Sequence, residues 1–308
     1  MRTIRVASRQ SALAMTQTKW VISQLQALDS RFTYEIIPTL TKGDKILDVA
    51  LAKVGGKGLF VSELEQALAS AQADFAVHSL KDVPAQLADG LILSAIPKRE
   101  DARDALISRT AKRLLDLPQG ARVGTSSLRR VAQLLAIRPD LQIQTLRGNI
   151  DTRLRKLEEE NFDAIVLAAA GLHRMGWQSR ITEYLSLDVC FPALGQGILG
   201  IECRQDDMQL RELLSRLTDV ASERAAIAER SLLAALNGGC QVPIGGFAEV
   251  LADERIRLYG MVARPDGQRV LRAQAIGEDP AAVAQDVARQ LREQGADEIL
   301  AMIGLATP

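Results

Sequence analysis

Histidine, cysteine and aromatic residues are all scarce in this sequence of 308 residues: two His, three Cys, six Phe, three Tyr and two Trp. With only His78 and His173 available, a histidine-rich metal centre is not expected, and no metal is assigned. Three cysteines in so long a chain do not form a disulfide framework, so the cytoplasm is the expected location. The few aromatic rings leave little for base-stacking platforms. Net charge is missing too, because 38 Lys and Arg meet 38 Asp and Glu. Bulk electrostatics therefore point to neither a nucleic-acid nor a membrane partner. No run approaches the roughly 18 uninterrupted apolar residues of a membrane span. The opening stretch Met1–Arg9 also lacks the apolar segment of a secretory signal.

What remains is a globular composition, 47% hydrophobic and 25% charged. At roughly 100–200 residues per domain, two or three domains are expected. Short β-branched runs alternate with longer helical patterns, which predicts an α/β fold with largely parallel strands. Strands are predicted at Thr3–Ala7, Tyr34–Pro38, Phe75–His78 and Leu91–Ile96, with a helix from Ser11 to Leu28. A second α/β stretch runs from Asp104 to Phe191, with strands at Ala105–Ser108, Arg122–Gly124, Ile143–Leu146 and Ala164–Leu167. Its helices fit Ser127–Ile137 and Ile150–Glu160. Lys98–Arg103 and Pro192–Gly200 flank this block and read as crossings between domains. From Ser222 a helix, three strands and a further helix suggest a small α+β unit at the C-terminal end. The Lys- and Gly-rich stretch Thr39–Gly58 reads as a mobile loop.

Local charge reveals what the total conceals. Between Arg122 and Arg155 seven arginines face only Asp140 and Asp151, a balance of +5. The guanidinium fork binds carboxylate or phosphate through paired hydrogen bonds. Gly124-Thr-Ser-Ser-Leu-Arg-Arg130 sits where a strand gives way to a helix, so free backbone N–H groups and the helix dipole favour an anion there. Leu146-Arg-Gly-Asn-Ile-Asp-Thr-Arg153 repeats that arrangement. Either segment alone also fits an N-cap beside solvated arginines, but two in one block favour a multi-anionic ligand. His78-Ser-Leu-Lys-Asp-Val-Pro84 follows a strand directly, and strand ends are where α/β proteins place catalytic groups. If the strand continues, Lys81 and Asp82 point to opposite sides and act as separate tools. A carboxylate set among arginines suits stabilising a cation better than acting as a strong base. A surface turn before proline is the alternative.

Cys190 and Cys203 lie beside Val189, Phe191 and Ile201 and read as small buried hydrophobes. Cys240, in Asn237-Gly-Gly-Cys-Gln-Val-Pro-Ile-Gly-Gly246, is either a structural loop thiol or a nucleophile presented by glycine-flanked backbone. Gly195-Gln-Gly-Ile-Leu-Gly200 matches a dinucleotide-binding pattern. It follows a proline rather than a clear strand and leads into an extended Ile201-Glu-Cys203, so a nucleotide site is not assigned.

Together these pieces resemble the porphobilinogen deaminase (hydroxymethylbilane synthase) family over essentially the whole chain. The carrying segments are Ala7-Ser-Arg-Gln-Ser11, Lys57-Gly-Leu-Phe60, His78–Pro84, Gly124–Arg130, Leu146–Asn149 and Gly238–Pro243. Leu80 stands where methionine is common in the family, and Asn237 where glutamate is frequent. The resemblance implies two lobes like those of type II periplasmic binding proteins plus a small α+β domain. The implied boundaries are 1–97 with 198–216 returning to it, 98–197, and a cofactor-anchoring domain at 217–308. It implies head-to-tail condensation of four porphobilinogen molecules to hydroxymethylbilane with loss of ammonia, primed by a dipyrromethane held through a thioether to Cys240. Asp82 is then the catalytic carboxylate. Lys81, Ser79, Thr125, Ser127, Arg129, Arg130, Arg147 and Arg153 are the implied cofactor contacts, and Arg9, Arg174 and Phe60 the substrate contacts. The stretch Lys53–Gly58 is the implied lid. A monomer is implied, with product passed to a downstream tetrapyrrole enzyme. The competing readings are a non-catalytic anion-binding protein with two lobes and an arginine-rich transferase without a covalent primer.

Overall fold

The computed structural model describes residues 2–45, 61–238 and 242–305. Three sheets organise them. The first has strand order β2-β1-β3-β10-β4, the second β7-β6-β8-β5-β9, and the third β11-β12-β13.

In the first lobe β1 (Thr3–Arg9) pairs in parallel with β2 (Thr33–Thr39) and β3 (Phe75–Ser79). A helix over Ala12–Leu28 follows β1, capped by Ser11, whose hydroxyl accepts from the Ala14 N–H at 3.3 Å. It buries Val21 and Leu25 against Ile4, Val6 and Phe75 of the sheet. β10 (Leu199–Arg204) enters between β3 and β4 (Leu91–Ala95), antiparallel to both. In the second lobe β6 (Arg122–Gly124) lies parallel to β7 (Gln142–Gln144) and β8 (Ala164–Ala168), while β5 (Asp104–Ser108) runs antiparallel to β8 and to β9 (Glu183–Tyr184). Each sheet is thus largely parallel, as expected, but mixed: one strand, β10 in the first and β5 in the second, runs against the other four. The reversed strands are those reached through the two crossing segments, where the chain leaves one lobe and enters the other.

The third unit is an antiparallel meander of β11 (Ile244–Val250), β12 (Ile256–Ala263) and β13 (Val270–Gly277). Helices over Val220–Ala235 and Pro280–Glu293 pack Leu232, Val287 and Leu291 onto Leu258 and Val262. Short helices at Ser62–Ala69, Ala169–Arg174 and Met208–Ser215 add to the expected set.

The two crossings touch each other and the third unit. Glu100 N–H donates to the Gly197 carbonyl at 3.1 Å. Gly197 has φ +86°, and a Cβ there would fall 2.4 Å from the Glu100 carbonyl oxygen, so glycine is required at this contact. Fully buried Glu229, on the helix over Val220–Ala235, accepts from Arg99 at 2.6 Å and from the Gly195 and Ala248 N–H groups. The glycine pattern at 195–200 therefore serves a chain crossing, as its rejection as a nucleotide site anticipates.

Candidate active site

A cleft of about 490 Å³ lies where the carboxyl ends of β1, β3 and β8 converge. β1 delivers Arg9 to it, and β3 delivers Ser79. The strand does not continue beyond Ser79. A 3₁₀ turn over Leu80–Asp82 follows, and Lys81 and Asp82 both border the cleft instead of pointing to opposite sides. Leu80 is the residue this turn buries.

Lobe two contributes Arg130, Arg147, Arg153 and Arg174. Gly148 shapes the turn after Arg147: its φ of +114° belongs to the left-handed region, and a Cβ there would meet Thr152 at 2.7 Å. Its carbonyl accepts from Arg153 Nε at 2.8 Å, which fixes one guanidinium beside the other. Arg174 ends a short helix and donates to the Gly197 carbonyl at 2.7 Å.

Among the described residues bordering the cleft, six cations (Arg9, Lys81, Arg130, Arg147, Arg153, Arg174) face two carboxylates, Asp82 and Asp151. The crowding has a cost. Burial, reinforced by Arg130 and Arg147, lowers the Arg153 guanidinium to about 10. Burial lowers Arg174 to about 10 and Lys81 to about 8. Arg147 is lowered by burial, and its Nη1 has no hydrogen-bond partner among the described residues. Arg130 Nε is likewise without one. Buried donors held among like charges are what a polycarboxylate ligand would satisfy, so these residues fit a dipyrromethane bearing acidic side chains.

Arg129 departs from the expectation. It is buried and points into lobe two, where Nη1 donates to Asp104 Oδ2 at 2.7 Å and to the Phe191 carbonyl. Successive residues on a helix of 3.6 residues per turn project about 100° apart. On the helix over Leu128–Ile137, Arg129 thus shares the side of Gln133, which binds the Phe191 backbone through both ends of its amide. Arg130 turns instead toward the cleft, donating to Asp104 Oδ1 and the Val166 carbonyl on the way. Thr125 and Ser127 are also absent from the cleft border. Thr125 is buried, and its hydroxyl accepts from the Ser127 N–H at 3.3 Å, a contact that helps hold the turn. Cys240, Phe60 and the expected lid at Lys53–Gly58 lie outside the described residues.

Sequence reasoning missed Gln17 and Gln196. Gln17, on the helix over Ala12–Leu28, donates to Ser79 Oγ at 3.2 Å. Gln196 accepts from Lys81 Nζ at 3.2 Å. Neither amide carries a charge or a motif that marks it in advance. Cys190 and Cys203 are buried as expected, and burial beside Asp104 pushes the Cys190 thiol up to about 12, which leaves it inert as a nucleophile.

Comparison with known proteins places this geometry. The family model described as porphobilinogen deaminase, dipyromethane cofactor binding domain, matches residues 4–212. The model described as porphobilinogen deaminase, C-terminal domain, matches residues 224–293. The chain is 56% identical over 301 residues to the porphobilinogen deaminase of Geobacillus kaustophilus, covering 97% of each chain. It is 53% identical to that of Bacillus subtilis, covering 97% of this chain and 96% of the relative. A periplasmic substrate-binding protein of an ABC transporter from Coxiella burnetii is similar at 16% identity and TM-score 0.45, over 70% of this chain and 91% of that one. The family match spans both lobes and the third unit: the chain belongs to the porphobilinogen deaminase family.

Proposed function

We propose that the cleft cradles a polyacidic pyrrole chain anchored at Cys240, with Asp82 as the carboxylate at the reacting ring. The protein is a porphobilinogen deaminase of tetrapyrrole biosynthesis and works with a dipyrromethane cofactor. When bound, the dipyrromethane supplies the pyrrole terminus to which substrate units are added, and it stays on the enzyme after product is hydrolysed off.

The observation that carries the reading is the six-to-two excess of cations over carboxylates around the cleft. Each porphobilinogen brings an acetate and a propionate, so every addition introduces two more carboxylates that need partners. Charge-assisted hydrogen bonds contribute about 1.5–3 kcal/mol each. Arg130, Arg147, Arg153 and Lys81 bind the carboxylates of the anchored chain, and Ser79 adds a neutral donor. Arg9 and Arg174 bind those of the incoming unit, against which Phe60 stacks. Arg129 contributes through Asp104, and Thr125 and Ser127 through the turn they form.

Loss of ammonia leaves positive charge on the substrate's methylene and pyrrole ring. Asp82 is fixed in advance by the 3₁₀ turn, so it stabilises that charge as it develops without reorganising. The same carboxylate accepts from pyrrole N–H groups and orients the ring. Apolar border residues such as Ile198 and Leu167 exclude water and strengthen these interactions.

The units 1–97 with 198–216, 98–197 and 217–308 act as two cleft-forming lobes and an anchoring domain. The protein works as a cytoplasmic monomer, and its unstable linear product passes to a further tetrapyrrole enzyme. Among the described residues no helix is long and apolar enough to cross a membrane.

Intact-protein mass spectrometry tests the anchor. The purified chain is expected to exceed its amino-acid mass by one dipyrromethane, and Cys240→Ser to lack that increment and all turnover. An active Cys240→Ser chain of bare mass would overturn the assignment.

A further inference from the structure

Asp104, the first residue of β5, is fully buried and is held both by lobe two and by the returning crossing. Its Oδ2 accepts from Arg129. Its Oδ1 accepts from Arg130 Nη2 at 2.7 Å and from Gln196 Nε2 at 2.9 Å. Gln196 lies in the returning crossing, is 1% exposed and borders the cleft. Its Nε2 also donates to the Ala102 carbonyl at 2.7 Å, while its Oε1 faces Lys81 Nζ at 3.2 Å.

The chemistry of the three side chains dictates this arrangement. An ammonium only donates and an ionised carboxylate only accepts, so they do not share a neighbour that has one kind of polar end. A primary amide has both. With Nε2 fixed by Asp104 and Ala102, Oε1 has one direction left, toward Lys81. The amide is therefore oriented from both ends, and it joins a lobe-one cation to the carboxylate that also holds a lobe-two cation.

We infer that Gln196 and Asp104 are positioning residues that lock Lys81 and Arg130, cleft cations from opposite lobes, into one fixed pair at the crossing. Of the other cleft cations, Arg9 on lobe one and Arg147 and Arg153 on lobe two lie outside this link, while Arg174 is tied to the same crossing through the Gly197 carbonyl. The Lys81–Arg130 pair thus gives the cradle one fixed end, set by the crossing itself.

Removing the amide has a consequence for charge as well as for placement. Among the described residues, the charged groups that act most on Lys81 are Asp82 and Asp104, which favour its ammonium form, and Arg130 and Arg129, which disfavour it. Burial has already brought Lys81 down to about 8. Deleting the acceptor lowers it further, whereas a protonated carboxyl at 196, donating to Asp104 and accepting from Lys81, preserves the link.

The inference rests on the assignment of Lys81 to the anion cradle and is tested on the holoenzyme through kcat/KM for porphobilinogen against pH. In Gln196→Met the basic limb is expected to move down by about one pH unit relative to the wild type, the equivalent of one hydrogen bond to a charged group. In Gln196→Glu the protonated acid keeps a donor for Asp104 and an acceptor for Lys81, so the limb is expected to stay near its wild-type position. A packing role alone would lower both profiles without displacing either limb. A basic limb left in place in Gln196→Met, or displaced alike in both variants, overturns the inference, and so does failure of both variants to fold. Wild-type kcat/KM in Lys81→Ala would instead sink the cradle assignment itself, whatever the Gln196 variants do.

Discussion

Arg129 stands 2.7 Å from Asp104, with both side chains buried beneath the helix that sends its next residue, Arg130, to the cleft. Two neighbouring arginines thus divide one task. The first neutralises a buried carboxylate from within the lobe, and the second shares that carboxylate while facing the ligand. A single buried anion between two guanidinium groups fixes the helix start against β5 and leaves one positive charge over for the cleft.

Arg129→Leu is therefore expected to act first on stability. Removing one partner of a buried pair exposes the remaining groups to uncompensated desolvation, a loss of about 3–5 kcal/mol. Equilibrium urea unfolding of the holoenzyme checks this. A change confined to KM, with the unfolding midpoint of the wild type, would contradict the buried role.

Arg147→Leu should behave in the opposite way. Burial already disfavours its guanidinium, and Nη1 has no partner among the described residues. Its loss removes an unsatisfied charged donor, so the unfolding free energy should stay within about 0.5 kcal/mol of the wild type or rise. Cofactor assembly from apoprotein and porphobilinogen should be slowed or abolished, read as the fraction of chains carrying the added mass. Normal assembly would remove Arg147 from the cradle.

The acid limb of stability should report Asp104. Arg129 and Arg130 hold its carboxyl well below the usual carboxylate range despite its burial. A depressed folded pKa contributes stability that is complete above the unfolded value of about 3.9 and is lost as pH falls toward the folded one. Asp104→Asn should thus be less stable than the wild type at neutral pH, and the gap should narrow below about pH 4. Thermal midpoints measured from pH 7 to pH 3 provide the check, and a gap that widens on acidification would have the wrong sign.

Much of this was legible before the fold was known, and the failures have physical causes. Periodicity and β-branched content placed β1, β6 and the helix over Ala12–Leu28 within two residues of their positions. The direction of β5 and β10 was not legible, because alternation reads the same along a strand whichever way it runs. The basic segments identified the cleft-bordering Arg130, Arg147 and Arg153. The sequence could not separate Arg129 from Arg130, since adjacent residues on a helix are distinguished by what packs around it. Gln17 and Gln196 were missed because an uncharged amide gains its role from partners distant in the chain: Ser79 for one, Lys81 and Asp104 for the other. Lys81 and Asp82 came together at the cleft because β3 stops at Ser79 and tightens into a 3₁₀ turn around buried Leu80.

That turn makes Asp82→Asn the most direct test of the chemistry. The amide keeps the size of the carboxylate and its capacity to accept a hydrogen bond, but it cannot offset a full positive charge. Binding depends mainly on the cationic residues, so KM for porphobilinogen should change little. The chemical step loses a fixed counter-charge. By analogy with removal of one preorganised electrostatic group, kcat should fall by roughly 10²–10³-fold. Single-turnover release of ammonia from holoenzyme separates the step from product hydrolysis. If the variant releases ammonia at the wild-type rate, the developing cation is stabilised elsewhere and Asp82 is reduced to lining. If KM rises with kcat unchanged, Asp82 orients the substrate without acting on the barrier. The proposed role requires kcat to fall with KM nearly constant, because an amide at 82 can still accept from the pyrrole N–H groups of the bound substrate, whereas the lost counter-charge is felt once the substrate becomes positive.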